Sequence, residues 1–460
     1  MLRRRDCIQN TAFRLAIIMG VGYWGKKPVR HKRKDCSMII RNGFVYQEDK
    51  CFVKKDLYVE NGRIVESREQ VTDTMEVEAE GLLVIPGLID IHSHGAMGCD
   101  FSDGSAEGLK KILSYEYAHG ITSYCPASMT LEKEKLLSVF RMAKGWRDGE
   151  GMSHLAGIYM EGPFLDIRKG GAHRKECILP ADVDFFRKCN EACGNIIRVV
   201  TLSPGGAGEC RGDGGEGIRG REESIRDRGA GVREREESIR DRGAGVREKE
   251  DDRSERETAG KKGMAFIREL HKEVVISLGH TAADYDTAKE ALAAGARQVT
   301  HLFNAMMPLA HRAPGLIGAA SEDQHCMAEL ICDGIHVHES MVRAAFKLFP
   351  GRIVLISDSM RAVGMGDGTY DLGGQQVEVK GHVAMLADGT IAGSVSNLYD
   401  CMCMAVSFGI PMGEAIAAAT MNPARSIGMY DQIGSLQPGK RADIILMDEN
   451  LKRVNIFQGG

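Results

Sequence analysis

The sequence predicts an α/β protein: a (β/α)8 barrel of the TIM type, with a small β-sandwich built from N- and C-terminal segments. Three observations predict it. Eight continuous apolar runs of β type alternate with helical stretches, short alternating strands crowd both ends of the chain, and histidines and carboxylates gather where the apolar runs stop.

Residues 1–37 join a basic start, a short apolar run from Phe13 to Trp24 and a second basic run. The apolar part is too short to span a bilayer and no small-residue cleavage site follows it, so a disordered or non-native extension is expected, with Met38 as the natural start. From Met38 to Leu83, "MIIRNGFVY" and "CFVKKDLYVENGRIVES" alternate around Asn-Gly turns and read as hairpins. The chain's end, "IGSLQPGKRADIILMDENLKRVNIF", reads alike. Segments 38–83 and 430–460 are therefore expected to pair into one small domain beside a barrel over 84–429.

The eight barrel strands are "GLIDIHSH", "ITSYCPAS", "LAGIYMEG", "IIRVVTLS", "EVVISLGH", "QVTHLFNA", "MAELICDG" and "RIVLISDS". Parallel strands buried on both faces lack polar alternation, and so do these. Helical periodicity fills several gaps, as in "SAEGLKKILSYEYAHG" with Gly120 as the stop and "DYDTAKEALAAGA" with Asp284 as the N-cap. Residues 205–262 break the rhythm. They are rich in Gly, Arg and Glu, and "REESIRDRGAGVRE" occurs twice in tandem, at 221–234 and 235–248. So few large apolar side chains cannot offset the entropy of ordering, which predicts a disordered or partly helical insertion after strand four.

With 460 residues, 43% of them hydrophobic, the chain can fill a sizeable core. A net charge of -4 gives no global electrostatic ground for a nucleic-acid or membrane partner. The 13 cysteines are scattered without CxxC pairs, which reads as reduced thiols in a cytoplasmic setting.

Catalytic groups of barrel enzymes sit at the C-terminal ends of the strands. Here strand one ends with His92 and His94, strand three with Glu161, strand five with His280, strand six with His301 and strand eight with Asp358. A strand repeats every two residues, so His92 and His94 share a side and form a metal pincer. Imidazoles with carboxylates suit divalent ions, zinc or iron foremost.

This constellation resembles the amidohydrolase superfamily, and within it the N-acetylglucosamine-6-phosphate deacetylases. The matching stretches include "PGLIDIHSHG", "MEGPFL", "KGGAH", "SLGHTAADYDTA", "THLFNAMMPLAHRAPGLIGAA", "CDGIHVH", "SDSMRAVGMGDGTYDLGGQQV" and "MNPARSIG", spread over residues 38–204 and 263–457. The resemblance implies a metal-dependent amide hydrolase acting on an N-acetylated sugar phosphate. Strand four has no lysine to bridge two metals, and Glu161 takes that place. By analogy His92, His94, Glu161 and Asp358 hold one ion and Glu161, His280 and His301 another, leaving one or two ions per subunit. Asp358 is then the base, and His173 contacts the acetyl carbonyl or the sugar. The backbone donors around Asn304 and Ala305, the Arg312 guanidinium and the His336 imidazole receive the phosphate. The corresponding arginine reaches a neighbouring subunit's site, which implies a homodimer. Two departures stand out: "SPGGAG" where a proline and glutamate are common after strand four, and Ser359 where alanine is usual. The galacto epimer as substrate, and a noncatalytic sugar-phosphate binding protein, remain as alternatives.

Overall fold

The computed structural model describes residues 37–72, 75–205 and 250–459. The expected N-terminal extension (up to 36) and the tandem repeats of the insertion (206–249) lie outside the described residues.

The apolar runs become strands with no exposed face: every residue of Leu88–Ser93, Ile121–Ser128 and Ile353–Ile356 is buried. Ile158–Met160, Ile197–Leu202, Val275–Leu278, Gln298–Val299 and Met327–Ile331 supply the rest. Each barrel strand pairs in parallel with the next, from the first to the eighth. The eighth returns to the first through bonds at the mouth alone. Asp358 N–H donates to His92 O at 2.9 Å, while His94 and Gly95 N–H donate to Ser359 O at 2.8 and 3.1 Å, so the barrel is almost closed.

Helices Ala106–Ala118, Lys133–Ala143, Val183–Ala192, Glu250–Leu270, Tyr285–Ala294, Gly315–Glu322, Glu339–Leu348 and Leu398–Ser407 follow the strands in turn. Asp284 caps its helix by accepting Thr287 N–H at 2.9 Å. Gly120, at φ 89°, ends the first helix two residues past Ala118. The helix Glu250–Leu270 starts inside the stretch expected as insertion, and its buried Ala259, Met264 and Phe266 pack it into the barrel's outer layer. Gly263 eases that approach, since a Cβ there would meet Pro204 O at 3.1 Å and Ser203 O at 3.3 Å.

At the chain ends, Met38–Tyr46, Phe52–Glu60, Arg63–Val65, Met75–Glu78 and Leu83–Pro86 join Ile444–Met447 and Arg453–Phe457 in one seven-stranded network. Strand Met38–Tyr46 branches: its first half pairs with Met75–Glu78 and its second with Leu83–Pro86. The network thus folds over a core of its own, in which Ile40, Val59 and Ile64 meet Leu446 and Phe457. Asn61 and Gly62 make the expected turn, with φ of 50° and 70°. Asn42 and Gly43 do not. They lie inside the first strand, where the register shifts between Ile40 and Gly43, so this Asn-Gly is a bulge. A sheet absent from the sequence reading, Gly368–Leu372, Gln375–Lys380 and Val383–Met385, follows barrel strand eight, its first hairpin turning on Gly373 and Gly374 at φ 60° and 92°.

Candidate active site

The barrel strands end around one carboxylate. Glu161 Oε1 lies 3.1 Å from Nε2 of both His280 and His301 and 3.4 Å from Nε2 of His92. Its Oε2 lies 3.1 Å from His94 Nε2 and 3.4 Å from His173 Nε2. Asp358 Oδ1 completes the group, 3.3 Å from His94 and 3.8 Å from His92. All seven side chains are buried.

Local backbone aims them. His92 and His94 converge as two-residue alternation expects, with Ser93 between them bonded to Tyr124 instead, while the register with strand two shifts between Asp90 and Ser93. Ile91 packs inside the barrel, and its neighbour His92 also turns inward to stack on Tyr159, with ring centroids 4.2 Å apart. His280, His301 and Asp358 take left-handed φ of 44°, 28° and 48°, a strain of about 1–3 kcal/mol each that recurs where strand ends present functional groups.

A divalent cation fits these donors, and the far sides of the rings are the test. His92 Nδ1 donates to Glu329 Oε2 at 2.9 Å, His94 Nδ1 to Ala127 O at 3.2 Å and His280 Nδ1 to Lys169 O at 2.9 Å. With that proton on Nδ1, the neutral form of each ring, the form that binds a metal, turns its Nε2 lone pair inward. His92 Nε2 is buried without any hydrogen-bond partner. His173 is different. Its Nδ1 accepts Thr130 N–H at 3.2 Å, so its neutral form carries the proton on Nε2 and is a donor rather than a ligand. Among the described residues two groups have ligand atoms mutually within 4.8 Å: His92, His94 and Asp358, and Glu161, His173 and His280. The His173 tautomer argues for His301, whose Nε2 is 2.9 Å from that of His280, as the third member of the second group.

Charge follows packing. Burial works against ionising Glu161 and Asp358, yet the surrounding histidines outweigh it and hold both below the usual carboxylate range. Burial draws His94 down too, but Asp358 and Glu161 lift it to about 10. Burial prevails at His280, lowered to about 4 despite Glu161.

The group opens on a cavity of about 510 Å³, lined also by Lys169, Ala172, Asn304, Ala305, His336 and Leu372. Asn304 N–H is committed to His301 O at 3.0 Å, which leaves the Ala305 N–H as the donor without a partner among the described residues. Arg312 is exposed, 2.6 Å from His311 Nε2, and does not line this cavity. Sequence reasoning missed Glu329, which holds His92 Nδ1, accepts His301 N–H at 3.2 Å and bonds Gln298. The signal was an acid inside the apolar run "MAELI".

The profile of the Amidohydrolase family matches residues 83–459. The chain belongs to the amidohydrolase family. Its relatives in that family include the N-acetylglucosamine-6-phosphate deacetylase of Bacillus subtilis (strain 168), 32% identical over 427 residues covering 90% of this chain and 94% of the relative. The N-acetylgalactosamine-6-phosphate deacetylase of Escherichia coli O157:H7 is 30% identical over 386 residues, covering 83% and 88%. Among solved structures, this amidohydrolase superposes with a TM-score of 0.72 on a mutant of the N-acetyl-D-glucosamine-6-phosphate deacetylase from Mycobacterium smegmatis in complex with N-acetyl-D-glucosamine-6-phosphate, at 27% identity over 92% of this chain and 98% of that one.

Proposed function

We propose that this amidohydrolase converts N-acetyl-D-glucosamine 6-phosphate to D-glucosamine 6-phosphate and acetate, in amino-sugar catabolism and cell-wall sugar recycling. The observation that carries the reading is the ring of inward Nε2 atoms and two ionised carboxylates at the cavity floor, with polar donors of a different kind, Ala305 N–H and His336, elsewhere on its wall. One or two divalent ions, zinc or iron in this reading, held by His92, His94, Glu161, His280, His301 and Asp358, supply Lewis acidity toward the amide oxygen and acidify water.

The protein's own groups do the rest. Asp358 takes the proton of the attacking water as its oxygen bonds the acetyl carbon, then delivers that proton to nitrogen as the C–N bond breaks, leaving acetate and the free amine. His173 Nε2–H donates to the acetyl carbonyl oxygen, a role its tautomer suits. Ala305 and His336 take the phosphate. The exposed Arg312 serves the neighbouring subunit's cavity in a homodimer, which makes a dimer the active form. We place the enzyme in the cytoplasm. Among the described residues no helix is long and apolar enough to cross a membrane.

The 30% identical N-acetylgalactosamine-6-phosphate deacetylase supports a second reading, in which the substrate is the galacto epimer. Acetate release from both sugar phosphates, after chelation and after adding back zinc or iron, tests all of this. Metal-restored turnover favouring the gluco substrate is expected. Turnover favouring the epimer selects the second reading, and none on either despite bound metal would leave a binding protein.

A further inference from the structure

Just past barrel strand seven, Asp333 is a buried carboxylate in the loop that presents His336 to the cavity, and it does not line the cavity itself. Its Oδ1 accepts the N–H groups of Ile335 and His336, both at 2.9 Å, and its Oδ2 accepts Nδ1–H of His336 at 2.7 Å. One carboxylate thus fixes loop and ring together. With Nδ1 committed, Nε2 is the ring atom left for a ligand, and it has no partner among the described residues.

A phosphate dianion offers only acceptors, so His336 can bind it only by donating from Nε2. Donating from both nitrogens makes the ring an imidazolium, and Asp333 supplies the opposite charge on its far side. Burial alone would raise the pKa of Asp333, but the His336 pair and the two backbone N–H groups bring it below its ordinary value, so that charge is in place.

We propose that Asp333 is a positioning residue that sets specificity: it holds His336 as a doubly protonated donor aimed at the dianionic phosphate, and so creates the preference for phosphorylated over unphosphorylated amino sugars. This rests on the substrate reading above. The rival account, a carboxylate that merely staples its loop, predicts equal losses on every substrate.

Asp333→Asn separates the two, because the amide oxygen still accepts both backbone N–H groups while the charge beside Nδ1 is gone. The ratio of kcat/KM for N-acetylglucosamine 6-phosphate to that for N-acetylglucosamine is expected to fall about tenfold, carried by KM for the phosphorylated sugar, as a charge-assisted bond is replaced by a neutral one. His336→Ala lowers the same ratio, and the double variant lowers it no further. Equal losses on both sugars, or a double variant another tenfold below His336→Ala, would overturn the proposal. A parent enzyme that prefers the phosphorylated sugar and an Asp333→Asn enzyme that keeps the preference overturn it alone. A parent enzyme with no preference removes the substrate reading, and the proposal with it. Without any variant, histidine NMR of the zinc-loaded parent with inorganic phosphate should show protons on both ring nitrogens of His336; a single ring proton would also overturn it.

Discussion

Asp358 shows how much one side chain is asked to do. It lies 3.3 Å from His94, is held ionised by its histidine neighbours, and stands on left-handed backbone at the end of strand eight. Asp358→Asn keeps the shape and removes the proposed base, so kcat is expected to fall about 10³-fold, within the usual range for general acid–base catalysis, with KM moving less than threefold. Steady-state kinetics on protein of verified metal content checks it, and retained turnover would exclude the base role. The adjacent Ser359 is a contrasting case. Its carbonyl, which alanine also has, accepts His94 and Gly95 N–H across the barrel seam, while its hydroxyl donates to Gly95 O at 3.0 Å and meets Ser93 Oγ at 2.6 Å. Ser359→Ala should therefore cost about 1 kcal/mol in urea unfolding and leave kcat within twofold. A tenfold loss of kcat would show that the hydroxyl itself positions Asp358. Glu116, on the first helix, has no role in the chemistry and both carboxylate oxygens are buried without a partner. Burial, reinforced by Asp90 and Asp400, pushes its pKa well above the ordinary value, so the folded chain keeps a proton that the unfolded chain releases above about pH 4.3. Stability is then lost as pH rises from there toward the folded value, at up to about 1.4 kcal/mol per pH unit. Glu116→Gln removes that loss, so its stability advantage over the parent should grow between pH 5 and pH 8. An advantage independent of pH would mean that Glu116 is not protonated in the fold.

Elements were legible where one local rule governed them. The eight apolar runs, the Asp284 cap and the Gly120 stop needed only periodicity and capping chemistry. The bulge at Asn42–Gly43 and the register shift at Asp90–Ser93 are settled by which strand lies alongside, which local pattern does not contain. The candidate site was legible as a list of strand-end side chains that gather, but not as a geometry. The tautomer of His173 depends on Thr130 N–H, and the setting of His92 on Glu329, contacts made across the barrel between distant segments. The sheet Gly368–Met385 did carry a signal, a Gly-Gly turn between alternating runs in "GTYDLGGQQVEV", overshadowed by the motifs on either side. The helix Glu250–Leu270 bears on the charged insertion. Every candidate site residue lies outside 206–249, while Ala259 and Phe266 of the helix are part of the buried layer. An excision must therefore stop before the helix. Gly260 faces Gly205, and residue 250 stands ten residues, about 15 Å, up the helix axis from it, so a flexible linker of about six residues in place of 207–249 can rejoin the chain. Turnover should stay within twofold; a tenfold loss in a folded variant would assign the segment a part in the reaction.

For the whole molecule, the deciding feature is that single strands serve two cores. In Ile444–Met447, Ile444 and Leu446 face the core of the small sheet while Ile445 and Met447 face the core between barrel and helices, and in Leu83–Pro86 Val84 and Ile85 divide the same way. These two strands pair antiparallel with each other, and only Gly87 separates the second from barrel strand one, which carries His92 and His94. Neither core can open without stripping the other's strands. The proposed ligands come from strands one, three, five, six and eight, so a cation bound by them ties together segments far apart in sequence and stabilises only the assembled barrel. Linkage puts that stabilisation at about 2.7 kcal/mol when free ion exceeds its dissociation constant a hundredfold. Calorimetry is therefore expected to show one unfolding transition that includes the small sheet, moving to lower temperature as a whole on chelation and returning when zinc or iron is restored. Two transitions, of which only the higher or only the lower responds to metal, would mean that the shared strands do not couple the sheet to the barrel. A single transition indifferent to chelation would mean that Glu161 and its ring of imidazoles do not hold an ion.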